Sequence, residues 1–139
     1  MTILIDTDIL LDIALKRVPF YKDSTKVIDL VENNILTGYV AWHSLSNFYY
    51  LTASNSGKDK AKEFIKDLLE FVNVTETSTD DAKKAVQLKV SDYEDALQIA
   101  AALACNANFI ITRNVKHYKN SPITALTPET FLKKHKPID

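Results

Sequence analysis

Short apolar runs alternate with helical patterns along this chain, and this alternation limits its possible folds more than any other feature. Five runs rich in β-branched and aromatic residues predict buried strands at residues 2–5, 38–42, 72–75, 109–112 and 123–126. Between these runs, apolar residues recur at helical spacing. Buried strands that alternate with helices are typical of a parallel sheet covered on both faces. The sequence therefore predicts an α/β fold, a three-layer α/β/α sandwich with a parallel sheet of about five strands.

The chain has 139 residues, which is enough for one domain with a substantial core. Apolar residues make up 46% and charged residues 25%, close to average globular usage, so the composition does not indicate disorder. Linkers, internal repeats and low-complexity tracts are missing from the pattern. We therefore expect a single domain over residues 1–139.

The charge balance is nearly even, with 18 acidic and 17 basic residues and a formal net charge of −1. A protein that held nucleic acid through its overall charge would be basic, so any such contact needs local Lys/Arg clusters or metal ions. The single cysteine, Cys105, excludes an intrachain disulfide and agrees with a reducing compartment. Asp6 and Asp8 interrupt the first apolar run, so no signal peptide is predicted. No uninterrupted apolar segment approaches the length needed to span a bilayer. We expect a cytoplasmic protein.

The predicted helix at residues 90–106 begins with three carboxylates and continues with small apolar residues. Ser91 and Glu94 have the S-x-x-E spacing of a capping box, which assigns Glu94 to the helix start. Asp92 and Asp95 are three residues apart and share one face, where their charges repel. The helix dipole alone could explain Asp92. The pair together favours a hard divalent cation such as Mg²⁺ or Mn²⁺.

Asp6 follows the first predicted strand directly, at an edge of the sheet where open α/β folds bind ligands. A carboxylate at the end of a buried strand needs a hydrogen bond, an ion pair or a metal ion. Capping of the turn is the structural alternative. Thr7 or Asp8 is predicted to cap the first helix, and Asp12 to be solvated. With a bound metal ion, Asp6 and the acids of the central helix could activate a water for attack on a phosphodiester.

Three motifs resemble those of the PIN-domain family, the nuclease fold that includes the VapC-like toxins of bacterial and archaeal toxin–antitoxin pairs. They are IDTDILLD at 5–12, DYEDALQIAAALA at 92–104 and FIITRNVKHY at 109–118, and LTPETFL at 126–132 is similar to the usual C-terminal ending. The motifs occur in the family's order, and the resemblance covers essentially the whole chain. It implies a parallel five-stranded α/β/α sandwich, Mg²⁺ or Mn²⁺ dependence, and RNA cleavage by four acids.

The resemblance also assigns individual residues. Asp6 matches the first acid of the family and Asp95 the acid on the central helix, with Asp92 beside it as a supplementary ligand. The second acid is usually a Glu, and here Asn47 is the best alignment. The closing motif usually reads Thr-x-Asp, whereas this chain has Asn114 as its third residue. The position three beyond, often Asp, is His117, which we interpret as a solvated loop residue.

The two asparagines reduce the expected charge of the site. We expect Asp6, Asp92 and Asp95 to be both the metal ligands and the catalytic acids, with Asn114 as a fourth catalytic-site residue through its amide oxygen. With so few carboxylates, one ion is expected instead of two.

Substrate phosphates are expected near the closing motif, where Arg113 and Lys116, with Lys119, form the basic cluster nearest the predicted site. Thr112 would contribute its hydroxyl. An ordinary solvated loop is the alternative interpretation of these residues.

The sequence therefore predicts a metal-dependent ribonuclease that could be the toxin of a toxin–antitoxin pair. RNA and an antitoxin protein are the implied partners. A homodimer is also implied, with Phe48, Tyr49 and Tyr50 exposed on a predicted helix. A catalytically weak or inactive PIN-fold module that binds RNA or protein is the first alternative. An unrelated α/β enzyme with Asp92 and Asp95 as general acid and base is the second.

Overall fold

Five short strands form one parallel sheet in the computed structural model, which describes residues 1–135. The order across the sheet is β3-β2-β1-β4-β5, so the first strand lies at its centre. Each predicted strand is present, and the bounds differ from the prediction by no more than two residues. The strands are β1 (Thr2–Ile5), β2 (Thr37–Val40), β3 (Asn73–Val74), β4 (Phe109–Ile111) and β5 (Thr124–Leu126).

Helices connect the strands, as a parallel sheet requires. A short 3-10 helix, Val115–Tyr118, lies between β4 and β5. The α-helices in the described part of the chain are α1 (Thr7–Ala14), α2 (Tyr21–Glu32), α3 (Trp42–Ser56), α4 (Lys58–Leu68), α5 (Thr79–Gln87), α6 (Tyr93–Ala104) and α7 (Pro128–Lys134).

The central strand β1 separates two apolar layers. Ile3 and Ile5 belong to a core cluster that includes side chains of α1, α2, α3 and α7. Leu4 faces the other way and packs with Ile99 and other small side chains of α6. All three strand residues are fully buried. Helices therefore cover both faces of the sheet, which confirms the predicted three-layer α/β/α sandwich with a five-stranded parallel sheet.

The start of the central helix differs from the sequence prediction. Asp92 is the N-cap of α6, and its Oδ1 accepts a hydrogen bond of 3.2 Å from the backbone N–H of Asp95. The predicted capping box of Ser91 and Glu94 is wrong, because the helix begins one residue later than that spacing assumes. This shift frees Glu94 from the cap and lets its carboxylate contact another helix.

The first helix, in contrast, begins earlier than predicted. Asp6 is the N-cap of α1, and its Oδ1 accepts a hydrogen bond of 2.7 Å from Thr7 N–H. The predicted capping by Thr7 or Asp8 is therefore wrong. Asp8 lies in the first turn, where its carboxylate is available for other contacts.

The aromatic residues of α3 do not share one exposed face. Phe48 is fully buried and stacks on Phe64 of α4, with ring centroids 4.8 Å apart. Its predicted exposure is wrong, because the α3 and α4 pair buries this side of the helix. Tyr50 is 70% exposed and remains available at the surface.

No helix within residues 1–135 is long and apolar enough to cross a membrane. The single domain was predicted over residues 1–139, and its last four residues lie outside the described part of the chain.

Gly38 of β2 lies against Val31 of α2, and this contact generates a stability prediction. A Cβ at this position would lie 2.8 Å from Val31 Cγ1 and 3.2 Å from Ile5 Cδ1. We expect Gly38→Ala to lower the free energy of unfolding by about 1–3 kcal/mol, because the added methyl overpacks the core. Denaturant unfolding measures the loss.

The double variant Gly38→Ala/Val31→Ala is the matched control, since it removes the methyl groups that the new Cβ would meet. Its loss should be smaller than the sum of the two single losses. Strict additivity would show that the crowding between β2 and α2 is not the cause.

Candidate active site

Three polar segments meet at the carboxyl edge of the sheet. They are the turn after β1, the start of α6 and the loop after β4, and α3 closes a fourth side. Together they line a cavity of about 530 Å³. Its polar lining includes Asp6, Asp8, Asp92, Glu94, Asp95, Asn47, Asn114 and His117. The structure thus brings together the predicted catalytic residues Asp6, Asp92, Asp95 and Asn114, and it adds two carboxylates that the sequence prediction had assigned to helix caps.

The Asp6 carboxylate accepts four hydrogen bonds, although its residue is only 8% exposed. Oδ1 accepts from Thr7 N–H at 2.7 Å and from Gln98 Nε2 at 3.1 Å. Oδ2 accepts from the Thr112 hydroxyl at 2.8 Å and from the Tyr118 hydroxyl at 3.0 Å. These donors offset the cost of burying the charge and hold the carboxylate in one orientation.

Sequence reasoning missed two of these donors. Gln98 is 1% exposed, and its Nε2 also donates to Ser44 Oγ at 2.8 Å. Tyr118 is 4% exposed, and burial together with the charge of Asp6 raises the pKa of its hydroxyl. Gln98 could have been recognised as the one amide in the apolar body of the central helix motif. Tyr118 carried no comparable signal, because an aromatic residue after a loop is usually core.

Thr112 and Asp6 are joined directly, which changes the role expected of Thr112. The threonine is fully buried, and its hydroxyl points at the Asp6 carboxylate. Its predicted contact with substrate is wrong in this structure, since the side chain does not line the cavity. Thr112 instead orients Asp6.

Asp8 faces the cleft between the first and last motifs. Its Oδ2 accepts from the backbone N–H of Arg113 at 3.0 Å and from Asn114 Nδ2 at 3.1 Å. Within residues 1–135 its buried Oδ1 has no hydrogen-bond partner. Burial, followed by the charge of Asp6, raises the pKa of Asp8 to about 7. A second carboxylate therefore lies beside Asp6 with one oxygen unpaired.

Glu94 lies on the opposite wall, where it contacts the other asparagine. Asn47 Nδ2 donates to Glu94 Oε1 at 3.0 Å and links α3 to α6. Each asparagine that replaces a family acid is therefore bonded to a carboxylate: Asn47 to Glu94, and Asn114 to Asp8. Asp8 and Glu94 therefore bring carboxylates to the cleft next to the two asparagines.

Asp95 is the acid of the central helix, and its environment disfavours ionisation. Burial raises its pKa, and the charges of Asp92, Asp6 and Glu94 add to the increase. His117 Nδ1 lies 3.4 Å from Asp95 Oδ2, while the imidazole is 56% exposed. His117 is therefore exposed to solvent, as the sequence predicted, and it also borders the cleft.

Arg113 does not line the cleft, because its side chain turns towards Asp12 of α1. Its Nε donates to Asp12 Oδ2 at 2.8 Å, and its guanidinium lies 4.0 Å from the ring centroid of Phe20. Asp12, predicted to be solvated, is fully buried, and its Oδ1 lies 4.0 Å from Arg17 Nη1. The solvation predicted for Asp12 is wrong, because Arg113 balances its buried carboxylate. The predicted contact of Arg113 with a substrate phosphate stays a prediction, since no bound molecule tests it.

Lys116 lies beside the cleft, in a neighbouring groove that also contains Lys119. Its position agrees with the predicted contact to a substrate phosphate, which no bound molecule tests.

The lining of the cleft matches the chemistry of a hard divalent cation. Its ionisable ligands are mainly carboxylates, the donors that Mg²⁺ and Mn²⁺ prefer. The buried Oγ1 of Thr7, a residue that is 6% exposed, has no partner among the described residues, like Oδ1 of Asp8. Against this, no group of three His, Cys, Asp or Glu side chains within residues 1–135 is already arranged to hold a metal. The residues fit a cation in kind, and side-chain movement is required to complete the site.

Comparison with known families gives one match. A family model described as PIN domain matches residues 2–116. The match includes the motifs at 5–12 and 92–104 and most of the motif at 109–118. A search of curated protein sequences gives no significant match.

Solved structures of low sequence identity share the fold. The chain is similar to VapBC2 from Rickettsia felis, crystallised with a DNA fragment from its promoter, at 18% identity and a TM-score of 0.70, covering 91% of this chain and 98% of that one. It is also similar to VapBC-1 from nontypeable Haemophilus influenzae, at 19% identity and a TM-score of 0.69, covering 93% of this chain and 99% of that one. A third similar structure is Mycobacterium tuberculosis VapC20, described as a toxin that cleaves the sarcin–ricin loop. The sequence identity is 14% and the TM-score 0.63, and the match covers 78% of this chain and 86% of that one.

The buried pair of Arg113 and Asp12 leads to a pH-dependent stability prediction. We expect Arg113→Met to cost about 3 kcal/mol at ~pH 8, because it leaves a buried carboxylate without its main partner. Burial already raises the pKa of Asp12, and loss of Arg113 raises it further. Because that folded-state pKa exceeds the unfolded value, stability falls as the pH rises between the two values. The deficit should therefore be smaller at ~pH 5 than at ~pH 8 in chemical denaturation.

Arg17→Met is the matched control, since Arg17 lies farther from Asp12 and is more exposed. It should cost much less. Adding Asp12→Asn to Arg113→Met should recover part of the loss. An equal deficit at both pH values would show that the charge of Asp12 is not the cause of the loss.

Proposed function

Because the chain belongs to the PIN-domain family, we propose that it is a metal-dependent endoribonuclease and the toxin of a toxin–antitoxin pair. The observation that carries this proposal is the cleft at the carboxyl edge of the sheet, where five carboxylates surround one cavity. So many like charges in a part-buried space repel each other, and burial together with this repulsion raises the pKa of Asp8 and of Asp95. A cation would relieve that repulsion.

Asp6, Asp92 and Asp95 would hold one Mg²⁺ or Mn²⁺ ion, and Asp8 would supply a fourth carboxylate. When bound, such an ion makes a water nucleophilic and neutralises charge on the phosphate. The protein's part is to orient the ligands: Gln98 and Tyr118 fix Asp6, and the helix N-cap fixes Asp92. Both oxygens of Asp6 already accept two hydrogen bonds each, so one of these donors would have to move aside for the ion. For this reason one ion is favoured over two.

The residues around the acids would bind the RNA. His117 borders the cleft and Lys116 lies just outside it, so both can reach a phosphate next to the cleaved bond. Asn114 lines the same cavity, where its amide oxygen can ligate or accept a hydrogen bond.

The proposed partners follow from the comparisons. Two of the similar solved structures are VapBC assemblies, which supports an antitoxin as the protein partner. A homodimer through α3 is supported by exposed Tyr50 and Leu51. The proposed site of action is the cytoplasm.

A second candidate is a PIN-fold module with weak or no catalysis, which binds RNA or protein. Two observations favour it. Asp6 is fully hydrogen-bonded by protein donors, and no three acidic or histidine ligands among residues 1–135 are already arranged around one point. The two candidates differ in whether RNA is cut, since the module can keep one weak cation site.

The catalytic proposal is tested by Asp95→Asn. We expect wild-type protein to cleave mixed-sequence RNA only with Mn²⁺ or Mg²⁺, and the variant to lose on the order of 100-fold or more in rate, the scale of removing one preorganised electrostatic contact. Millimolar Mn²⁺ should also raise the thermal midpoint of the wild type but not of the variant, because binding to the native state stabilises it.

Asp67→Asn is the matched control, since it removes one exposed carboxylate from α4, away from the cleft. It should retain both cleavage and the Mn²⁺-induced shift. Cleavage that persists in Asp95→Asn would point to a contaminating nuclease. A Mn²⁺ shift without cleavage in the wild type would favour the inactive module.

The contribution of Asp8 is tested by exchanging the carboxylate and the amide of the hydrogen-bonded pair Asp8 and Asn114. Asp8→Asn alone should weaken Mn²⁺ binding by roughly 10-fold or more, within the range seen for residues that support metal ligands. Asp8→Asn/Asn114→Asp should recover most of the affinity, because the pair keeps one carboxylate and one amide. Isothermal titration with Mn²⁺ measures both. Equal affinities in wild type and Asp8→Asn would remove Asp8 from the site.

A further inference from the structure

A second groove continues directly from the acidic cleft. It encloses about 580 Å³ and shares Asp92, Asp95 and His117 with the cleft. Apart from these shared residues, the charged side chains of its lining are positive instead of negative. Three lysines, Lys89, Lys116 and Lys119, line it.

The lysines come from two segments that only the tertiary structure brings together. Lys89 follows α5, whereas Lys116 and Lys119 belong to the turn after β4. Asn120 Nδ2 donates to the backbone carbonyl of Lys89 at 3.2 Å and joins the segments. The same turn is anchored to the cleft by Tyr118, whose hydroxyl donates to Asp6. The basic groove is therefore held in a defined position relative to the acids.

The positive charge of this groove is not neutralised by ion pairs. All three lysines are exposed, and none lies within ion-pair distance of a carboxylate of residues 1–135. Since the whole chain has a net charge of −1, the groove is a local concentration of positive charge and not part of a basic surface. Such a concentration beside a carboxylate cleft favours a ligand with a repeated negative charge.

We propose that the groove lined by Lys89, Lys116 and Lys119 binds the backbone phosphates of the RNA strand on one side of the cleaved bond. This inference rests on the proposed ribonuclease function. Lysine ammonium groups bind phosphates as point charges, and a basic groove that follows the backbone is how proteins hold single strands without reading sequence. Because the groove opens into the cleft, one strand can occupy both.

An acidic protein segment is the other polyanion that the lysines could attract. RNA is favoured, because the strand's next phosphate would be the group that the proposed active site binds. A peptide carboxylate has no corresponding role in the cleft.

The test measures binding of a short fluorescent single-stranded RNA to full-length protein in EDTA, so that it does not depend on metal-dependent cleavage. Fluorescence anisotropy is followed over a range of KCl concentrations for wild type and Lys89→Ala/Lys119→Ala. Each phosphate contact on a single strand contributes about 0.7 to the slope of log affinity against log salt. We expect the variant's slope to be about 1.4 smaller and its affinity to be several-fold lower at low salt.

Lys62→Ala/Lys66→Ala is the matched control, because it removes the same charge from the exposed face of α4. Its slope and affinity should equal those of the wild type. Equal slopes for wild type and Lys89→Ala/Lys119→Ala would overturn the inference, even if Mn²⁺-dependent cleavage were present. Binding of polyglutamate as tightly as RNA, with the same dependence on Lys89 and Lys119, would also overturn it. A slope change without any RNA cleavage would support the groove and reject the catalytic function.

Discussion

The buried carboxylate of Asp6 connects more of this structure than any other group. It ends the central strand, caps α1 and accepts hydrogen bonds from α6, from the end of β4 and from the 3-10 helix. Hydrogen bonds to a charged group contribute about 1.5–3 kcal/mol each, enough for four of them to hold a charge in a largely apolar layer. The positions of the two other acidic segments depend on this group, because the same bonds hold α6 and the loop after β4 against the end of β1.

Around that fixed charge, two asparagines each donate a hydrogen bond to a carboxylate. Asn47 and Asn114 stand where the family resemblance implies acids, and each donates its amide to a carboxylate, Glu94 and Asp8 respectively. An asparagine can donate to a carboxylate at a distance where a second carboxylate would repel it. The cleft can therefore keep a high negative charge without acids at these two positions.

The closing loop divides its basic residues between two tasks. Arg113 turns inward to balance Asp12, which is fully buried, and its planar guanidinium also covers the ring of Phe20. Lys116 and Lys119, a few residues on, remain exposed and line the groove with Lys89. The division agrees with the chemistry of the two side chains. Arginine is well suited to paired and stacked contacts in partly buried places, whereas the strongly hydrated ammonium of lysine stays in water.

The sequence by itself determined the order of strands and helices, the layers of the sandwich and the acids Asp6, Asp92 and Asp95 at one edge of the sheet. The helices and strands follow from apolar periodicity, which a few consecutive residues are enough to show. The common edge of the acids follows from the topology of parallel sheets, where ligands bind at the carboxyl ends of the strands. Only the tertiary structure decided the cap positions, and with them the roles of Asp8 and Glu94, because a cap depends on where the first helical turn closes. It also decided that Arg113 pairs with Asp12 and that Lys89 joins Lys116 and Lys119. Such contacts join residues far apart in the chain, and local spacing carries no information about their geometry.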